Sequence, residues 1–566
     1  MALRTCSSGF EDEQSLSYKA FSRQGSSAVE QGTHKPLVGS SILPPGRDIC
    51  APSRRNIGVT NTELWQKLAR GGAEYRLTRF VILRLLGFVY AIAFLVAINQ
   101  LVPLIGHHGL TPADQYLELL RTHFGSSNAA AFNVPTLFWF GISDRALLVF
   151  SWIGFGLALA VLAGYANAIV LAVLWAMYMS IVHIGQIWYG YGWETQTLET
   201  GFLAIFLCPL LDLRPFPKTA PPLLVIWLFR WLGFRIMLGA GLIKLRGDPC
   251  WRDLTCLYYH YETQPIPNPI SRYLHFAPHW FQKVGTAWNH FVELIVPWFS
   301  FGRRRARHFA GIFLVSFQLF LIISGNLSFL NYLTIIPFLA CFDDSFWRRV
   351  LPRVLTRRMD EPPAPAPRFQ LQIAAALACV IAYLSITPVT NMISNRQVMN
   401  ESFDPLDLVN TYGAFGAVGK ERDEIIFEGT SDAVITASTR WKEYEFKAKP
   451  GDPNRRPPFI APYQPRIDWQ MWFAAMSSPA EYPWTLHFVW RLLHNDAGTL
   501  SLLANNPFPG PPPRFIRARL YRYRFAPPGN PAWWKREPVG EWLPPLSVDS
   551  EGFRELLREM QWLDQL

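Results

Sequence analysis

The sequence predicts a polytopic α-helical membrane protein, with about nine hydrophobic segments and a β-rich α+β domain at its carboxy end on the non-cytosolic, lumenal side. Three observations predict it. Half of the 566 residues are hydrophobic, 15% are aromatic and only 17% are charged, which is too apolar for ordinary soluble domains. The apolar residues gather into runs near the length of about 20 residues that a helix needs to cross a bilayer. Counted as crossings, these runs leave the arginine-rich connections all on one side of the membrane, as the positive-inside rule requires.

Residues 1–78 are polar and read as a cytosolic, disordered region in which Cys6 and Cys50 stay reduced. They hold no early apolar core followed by a small-residue cleavage site, so the first span is expected to act as the insertion signal. A transmembrane domain over 79–390 follows, with spans near 80–100, 145–164, 168–187, 196–212, 222–245, 287–302, 309–325, 328–342 and 370–389. Arg84 in the first can snorkel to the nearby end. The segments 196–212 and 328–342 are short enough to be tilted, re-entrant or buried in the bundle. With a cytosolic amino terminus, nine crossings place 213–221, the "RRRARH" of 303–308 and 343–369 in the cytosol. Losing one adjacent pair of spans would keep that parity. The other face receives 101–144, the loop 246–286 and everything after 390.

"MDEPPAPAPRF" (359–369) reads as a proline-rich linker before the last span. The tail, 391–566, reads as a separate, compact domain. "EIIFEG", "VITAST", "EYEFKA" and "LYRYRF" resemble strands, "DWQMWFAAMSS" and "TLHFVWRLLHN" have helical spacing, and "NPFPGPPP" and "APPGNPAWW" read as turns.

The net charge of +11 does not indicate nucleic acid, because residues 401–566 hold 19 lysines and arginines against 21 acidic residues. The basic-aromatic "RARLYRYRF" (517–525) alternates as a half-exposed strand does. No nucleophile elbow, P-loop, HExxH or dinucleotide fingerprint stands out, and no cofactor or metal is implied.

Cys250 and Cys256, in "RGDPCWRDLTC", fall on the side where disulfides persist. Six residues of continuous helix would separate them by about 9 Å along the axis, beyond the roughly 4.4–6.8 Å between the Cα atoms of a disulfide. A bond therefore needs a turn, which Gly247-Asp248-Pro249 supplies. The main reading is a staple; two free thiols, a redox pair and a zinc site with His260 and His275 are the alternatives. Cys208, Cys341 and Cys379 read as packing residues in spans.

His183, Gln186, Glu194 and Glu199 lie at or near membrane depth, as do Arg230, Arg235 and Lys244. Charges there face a partner or a wet cavity. His183, Glu194, Glu199, Arg235 and Lys244 form a candidate intramembrane polar network. Its bland form is a pair such as Glu199 with Arg235; its sharper form is a pocket for a lipid or small molecule. Arg230 and Arg235 point about 140° apart, so only one faces a given partner. Small residues in "GAGL" (239–242) permit close helix approach. Asp343 and Asp344 fit an interface better than a catalytic dyad. Asn326 and Asn400 head N-glycosylation sequons; Asn326 is jammed between spans, and Asn400 is the candidate acceptor.

Four stretches carry a family resemblance: "FRIMLGAGLIKLRGDPCWRDLTCLYYHYETQPIPNP", "SGNLSFLNYLTIIPFLACFDD", "NTYGAFGAVGKERDEI" and "YEFKAKPGDPNRRPPFIAPYQPRIDWQMWFAA". From about residue 78 to its end, the chain resembles the lipase maturation factor family. The resemblance implies a multi-pass endoplasmic reticulum protein with a cytosolic amino terminus and lumenal tail. It implies a chaperone-like, non-enzymatic role for secreted dimeric lipases (lipoprotein, hepatic and endothelial lipase), beside lumenal folding machinery and membrane lipids. Loop and tail are expected to hold clients bivalently, with Trp469, Trp472, Trp484, Trp533 and Trp534 as candidate contacts. A distant likeness of the membrane part to vitamin K-dependent carboxylase keeps an embedded enzyme, using Lys244, His183 or Glu199, as an alternative. A transporter is the third reading, without an evident inverted repeat.

Overall fold

A computed structural model describes residues 71–563, so that Cys6, Cys50 and the amino-terminal region expected to be cytosolic, apart from 71–78, lie outside the described residues. In chain order the main helices of the first part are α1 (Arg76–Ile105), α2 (Asp144–Ala163), α3 (Ala168–Ile184), α4 (Gly192–Leu207), α5 (Leu223–Arg246), α6 (His279–His290), α7 (Arg304–Ser324), α8 (Leu330–Leu339), α9 (Arg368–Leu384) and α10 (Ile386–Ile393). Five stretches are long and apolar enough to cross a membrane: α1, α2, α5, α7, and α9 running into α10.

The other four segments expected as spans are shorter or broken. Helices α3 and α4 have 17 and 16 residues. Helix α8 has only 10, with Pro337 inside it, and so covers about 15 Å. The segment expected at 287–302 is not one α-helix: α6 passes into a π turn over Phe291–Ile295 and a 3₁₀ stretch over Val296–Phe301. Pro297, which cannot donate a backbone hydrogen bond, lies at that second change of pitch. Most of α4 and α8 is buried, so protein rather than lipid surrounds their ends, where irregular backbone is tolerated.

The connections collect at two ends of the bundle. At one end Ala220 donates to Ala364 O (2.9 Å), Arg76 reaches Glu361 O (2.8 Å) and Arg304 pairs with Asp343 (2.7 Å). This end is rich in arginine. At the other end the segments 106–143, 185–191 and 246–286 meet the chain beyond 394: His487 bonds Leu110 O (2.9 Å), Gln470 reaches Ile187 O (2.6 Å) and Arg272 reaches Ala526 O (2.7 Å).

The carboxy-terminal region has a four-stranded antiparallel sheet in the order β2-β1-β3-β4. Its strands are β1 (Arg422–Thr430), β2 (Lys442–Glu443), β3 (Phe515–Phe525) and β4 (Trp534–Leu546). Helices α11 (Arg466–Ala474) and α12 (Trp484–Leu493) lie between β2 and β3. "VITAST" is loop rather than strand, and "EYEFKA" supplies only Glu443 to β2 and a bridge at Phe446. Strand β4 was not anticipated, because Pro538, Pro544 and Pro545 speak against a strand. It is an edge, where proline is tolerated, and its register slips beside Pro538. Two of the four arginines of β3 are taken up by β1: Arg517 pairs with Glu428 (2.7 Å) and Arg522 with Asp423.

The tail is not the separate domain that composition suggested. One buried hydrophobic cluster runs unbroken from Phe94 and Leu198 of the bundle to Trp469 and Phe488 of the tail. Gly239 shows how close the approach is: a Cβ there would come within 2.6 Å of Tyr412 O. The "GAGL" stretch therefore admits tail backbone on one side, and at Gly241 the π turn, where a Cβ would lie 3.0 Å from that of Glu293.

Candidate functional site

The functional geometry lies where the tail covers the bundle. The candidate polar residues form three constellations instead of one network. In the first, Glu199 on α4 and Arg235 on α5 are a buried ion pair. Arg235 also donates to Asn410 O (2.7 Å), while Glu199 accepts from Tyr412 OH (2.7 Å) and Asn410 N (3.2 Å). Asn410 continues to Asp407 O (2.8 Å), and the Asp407 carboxylate meets His183 (3.2 Å), whose other ring nitrogen bonds Pro135 O (2.7 Å). The "NTYG" segment thus plugs the top of α4 and α5. Arg230, on another face of α5, instead reaches Ala340 O (2.9 Å) and Tyr75 OH (2.8 Å).

In the second constellation Glu194 pairs with Arg466 of α11 (2.9 Å) and accepts from Tyr178 OH. Arg466 also donates to Trp188 O (2.5 Å) and lies 3.4 Å over the Tyr189 ring. Burial works against its charge, but Tyr189 and Glu194 raise its pKa above the ordinary value for arginine. In the third, Lys244 pairs with Glu293, which accepts from Asn289 (2.7 Å), and Lys244 lies 5.1 Å over the Trp251 ring. The π turn carries Glu293, and such turns recur at functional sites.

Lys244 and Glu293 face a cavity of about 1470 Å³. Its walls come from α5, α6, α7, α8, the loop 246–286 and the tail. His260 lines it, edge-on to Phe415 (4.7 Å). Burial, with Lys244 adding to it, lowers the His260 pKa to about 4. Among the described residues no group of His, Cys, Asp and Glu could hold a metal ion. Lys244, His183 and Glu199, the acid–base candidates of the embedded-enzyme reading, each have their own hydrogen-bonded partners.

Cys250 and Cys256 are bonded, with Cα atoms 4.8 Å apart. Asp248 caps the short helix Pro249–Arg252 and accepts from Cys250 N (2.9 Å), which makes the turn the bond requires. The stapled loop is held by the tail: Asp248 N donates to Gly416 O (3.0 Å) and Trp251 to Phe415 O (2.8 Å). Loop and tail therefore form one surface, not two independent arms, and the expected bivalency has no geometric basis.

Of the candidate client contacts, Trp469, Trp484 and Trp534 are buried and serve packing. Trp472 is half-buried on the cavity wall, donating to Thr263 O (3.0 Å), and Trp533 is sandwiched between Arg272 (4.6 Å) and Arg456 (5.6 Å). Asn400 is half-buried beside Gly192 on the same wall. Asn326 is buried and bonded to Pro458 O (2.8 Å) and Ile460 N (2.9 Å). Sequence reasoning missed Asp407, Asn410, Tyr412, Arg466 and Glu293, the partners that organise the site. The one available signal was a charged residue, such as Arg466, within an otherwise apolar helical pattern.

The family model for the lipase maturation factor transmembrane domain matches residues 77–349, and that for the lipase maturation factor C-terminal domain matches 408–544. Lipase maturation factor 1 of Bos taurus is 49% identical over 514 residues, covering 86% of this chain and 91% of that one. The Homo sapiens protein of that name is 48% identical over 513 residues, covering 86% and 90%. Lipase maturation factor 2 of Xenopus laevis is 31% identical over 607 residues, covering 86% and 84%. No solved structure matches.

Proposed function

The chain belongs to the lipase maturation factor family, closer in identity to factor 1 than to factor 2 sequences, and from that premise we propose that it matures secreted dimeric lipases in the endoplasmic reticulum. Its part in lipase maturation follows from the family; the compartment, the clients and the mode of action are the reading developed here. The arginine-rich end faces the cytosol and the tail-covered end the lumen, with a transmembrane domain over 79–390 and a lumenal region over 391–566. Five stretches cross between these two ends, and the shorter segments α3, α4, α8 and 287–302 complete the bundle. The Cys250–Cys256 bond suits the oxidising side, and Asn400 is the glycan acceptor.

The observation that carries the proposal is the single surface made by the stapled loop and the tail. It offers a rigid lumenal platform, locked to the membrane part by the buried Glu194–Arg466 pair and by hydrogen bonds of Asn410 and Tyr412, on which an unpaired lipase subunit can hold its exposed apolar surface away from aggregation until its partner arrives. The action is that of a chaperone and not of an enzyme. Lipoprotein lipase, hepatic lipase and endothelial lipase are the clients, with lumenal folding enzymes as co-workers.

The test is co-expression of the full chain with lipoprotein lipase in cells lacking their own maturation factor. The expected result is recovery of active, dimeric lipase in the medium. Unchanged lipase activity, with the chain present at normal abundance, overturns the proposal.

A further inference from the structure

We propose that the cavity between α5, α6, α7 and α8 is a binding site for a diacyl membrane lipid, which enters sideways from the bilayer between α6 and α7. The proposal is independent of the lipase reading and needs only that α5 and α7 cross a membrane.

Size comes first. About 1470 Å³ exceeds the cavity this structure would need for a small metabolite, since such pockets usually hold about 300–1,000 Å³. The inner wall is hydrocarbon, with Met237 and Ala240 from α5, Phe317 and Leu321 from α7, and Leu330 from α8. The polar side chains on its helical walls are paired: Asn331 donates to Gln318 (2.8 Å), Gln196 to Thr334 (3.1 Å), and Lys244 is neutralised by Glu293, while the loop and tail add His260, Arg396, Glu421 and Asp423 to the lining. Walls whose polar groups are already paired leave little for a polar solute to bind and suit an acyl chain.

The opening sets the route. Val284 and Trp288 on α6 and Phe320 on α7 line the cavity and are also exposed. The same helix α7 exposes Ile312, Leu319 and Ile323, the side that bilayer lipid covers. The Trp288–Phe313 ring contact (5.3 Å) closes the gap between the helices at one end, leaving an entrance on the side of Val284 and Phe320. Trp280, 67% exposed, and Phe281 extend this lip along α6, as aromatic residues do at the headgroup level. An occupant arriving by this path comes from the membrane, not from the aqueous lumen.

The test uses the full chain reconstituted in phosphatidylcholine bilayers containing a phosphatidylcholine with a diazirine in one acyl chain. After illumination, adducts are mapped by peptide mass spectrometry. Adducts are expected on the inner wall, at Met237, Ala240 or Phe317, as well as on outward residues such as Trp152. Filling the cavity with Ala240→Trp and Leu321→Trp is expected to lower the inner-wall adducts about tenfold while labelling at Trp152 persists. Labelling of the unmodified protein only at outward residues overturns the proposal, whether or not the filled variant folds. Inner-wall labelling that is lost on adding unfolded lipase chain, but not on adding excess phosphatidylcholine, also overturns it, because the occupant would then be a polypeptide.

Discussion

The two ends of the helical bundle are closed by opposite means. At the arginine-rich end most ion pairs are at the surface: in Lys218–Glu361 the side chains are 57% and 64% exposed, and in Arg348–Asp360 they are 42% and 57% exposed, while Asp343, held by Arg304 and Arg307, is buried. At the tail-covered end, Glu194–Arg466 and Arg422–Glu424 are wholly buried, and Glu199–Arg235 nearly so. Surface pairs contribute little, about 0–1 kcal/mol. Breaking a buried pair leaves a charge without water or partner and costs roughly 3–5 kcal/mol. The contrast teaches that the arginine-rich end carries mostly exposed charge around one buried carboxylate, Asp343. The covered end has buried pairs, of which Glu194–Arg466 draws its partner from the tail and Glu199–Arg235 is closed by tail hydrogen bonds from Asn410 and Tyr412.

The sharpest way to break this comparison is Arg466→Met, which strands Glu194. We expect a loss of roughly 3–5 kcal/mol, read as a lowered melting temperature of the purified protein and reduced abundance. The double change Glu194→Gln/Arg466→Met should recover much of the loss; a single variant that melts like the parent would refute the role given to this pair.

Acid should act in opposite directions on His487 and His260 of the covered end and on Asp344 of the arginine-rich end. Burial lowers the pKa of His487 and of His260 to about 4. The unfolded chain protonates both near 6.5, so folded stability falls as pH drops from about 6.5 to 4, by up to roughly 3 kcal/mol for each. At the arginine-rich end, burial raises Asp344 to about 6. Its unfolded carboxyl binds a proton only near 3.8, so stability is gained as pH falls through 6. His487→Asn should therefore flatten the acid limb of a stability profile, and Asp344→Asn should steepen it. Equal profiles for the two variants would erase the distinction.

Cys250→Ser/Cys256→Ser should cost roughly 2–3 kcal/mol, as expected for so short a loop. Reduced capture of lumenal partners would accompany it if the stapled loop shapes the client surface; intact capture at normal abundance would leave the bond a purely structural one. The smallest effect is expected for Arg348→Ala, within about 1 kcal/mol, measured in the same melting assay.

Hydropathy made α1, α2, α5, α7 and α9 legible, because each buries or presents to lipid a continuous apolar surface. The cysteine bond was legible from Gly247-Asp248-Pro249, since a turn is the geometric requirement. The Glu199–Arg235 pair could be weighed from depth alone. The break in 287–302 was hidden, because a π turn has no compositional mark beyond the nearby Pro297. Asn410, Tyr412 and Arg466 were hidden for another reason: their partners lie far away in the chain, and local periodicity carries no information about such contacts. The tryptophans misled because a large aromatic surface serves a core and an interface equally well; burial chose the core for Trp469 and Trp534.

Asn410 reaches Glu199 across 211 residues of chain, and Arg466 reaches Trp188 across 278. A ribosome delivers α4 to the membrane long before it makes these partners. Until residues 410 and 466 are made, Glu199 and Glu194 have only their partners within the bundle, Arg235 and Tyr178. A stop codon anywhere before position 466 therefore does more than shorten the protein: it leaves the membrane half itself unfinished, with Glu194 lacking its arginine.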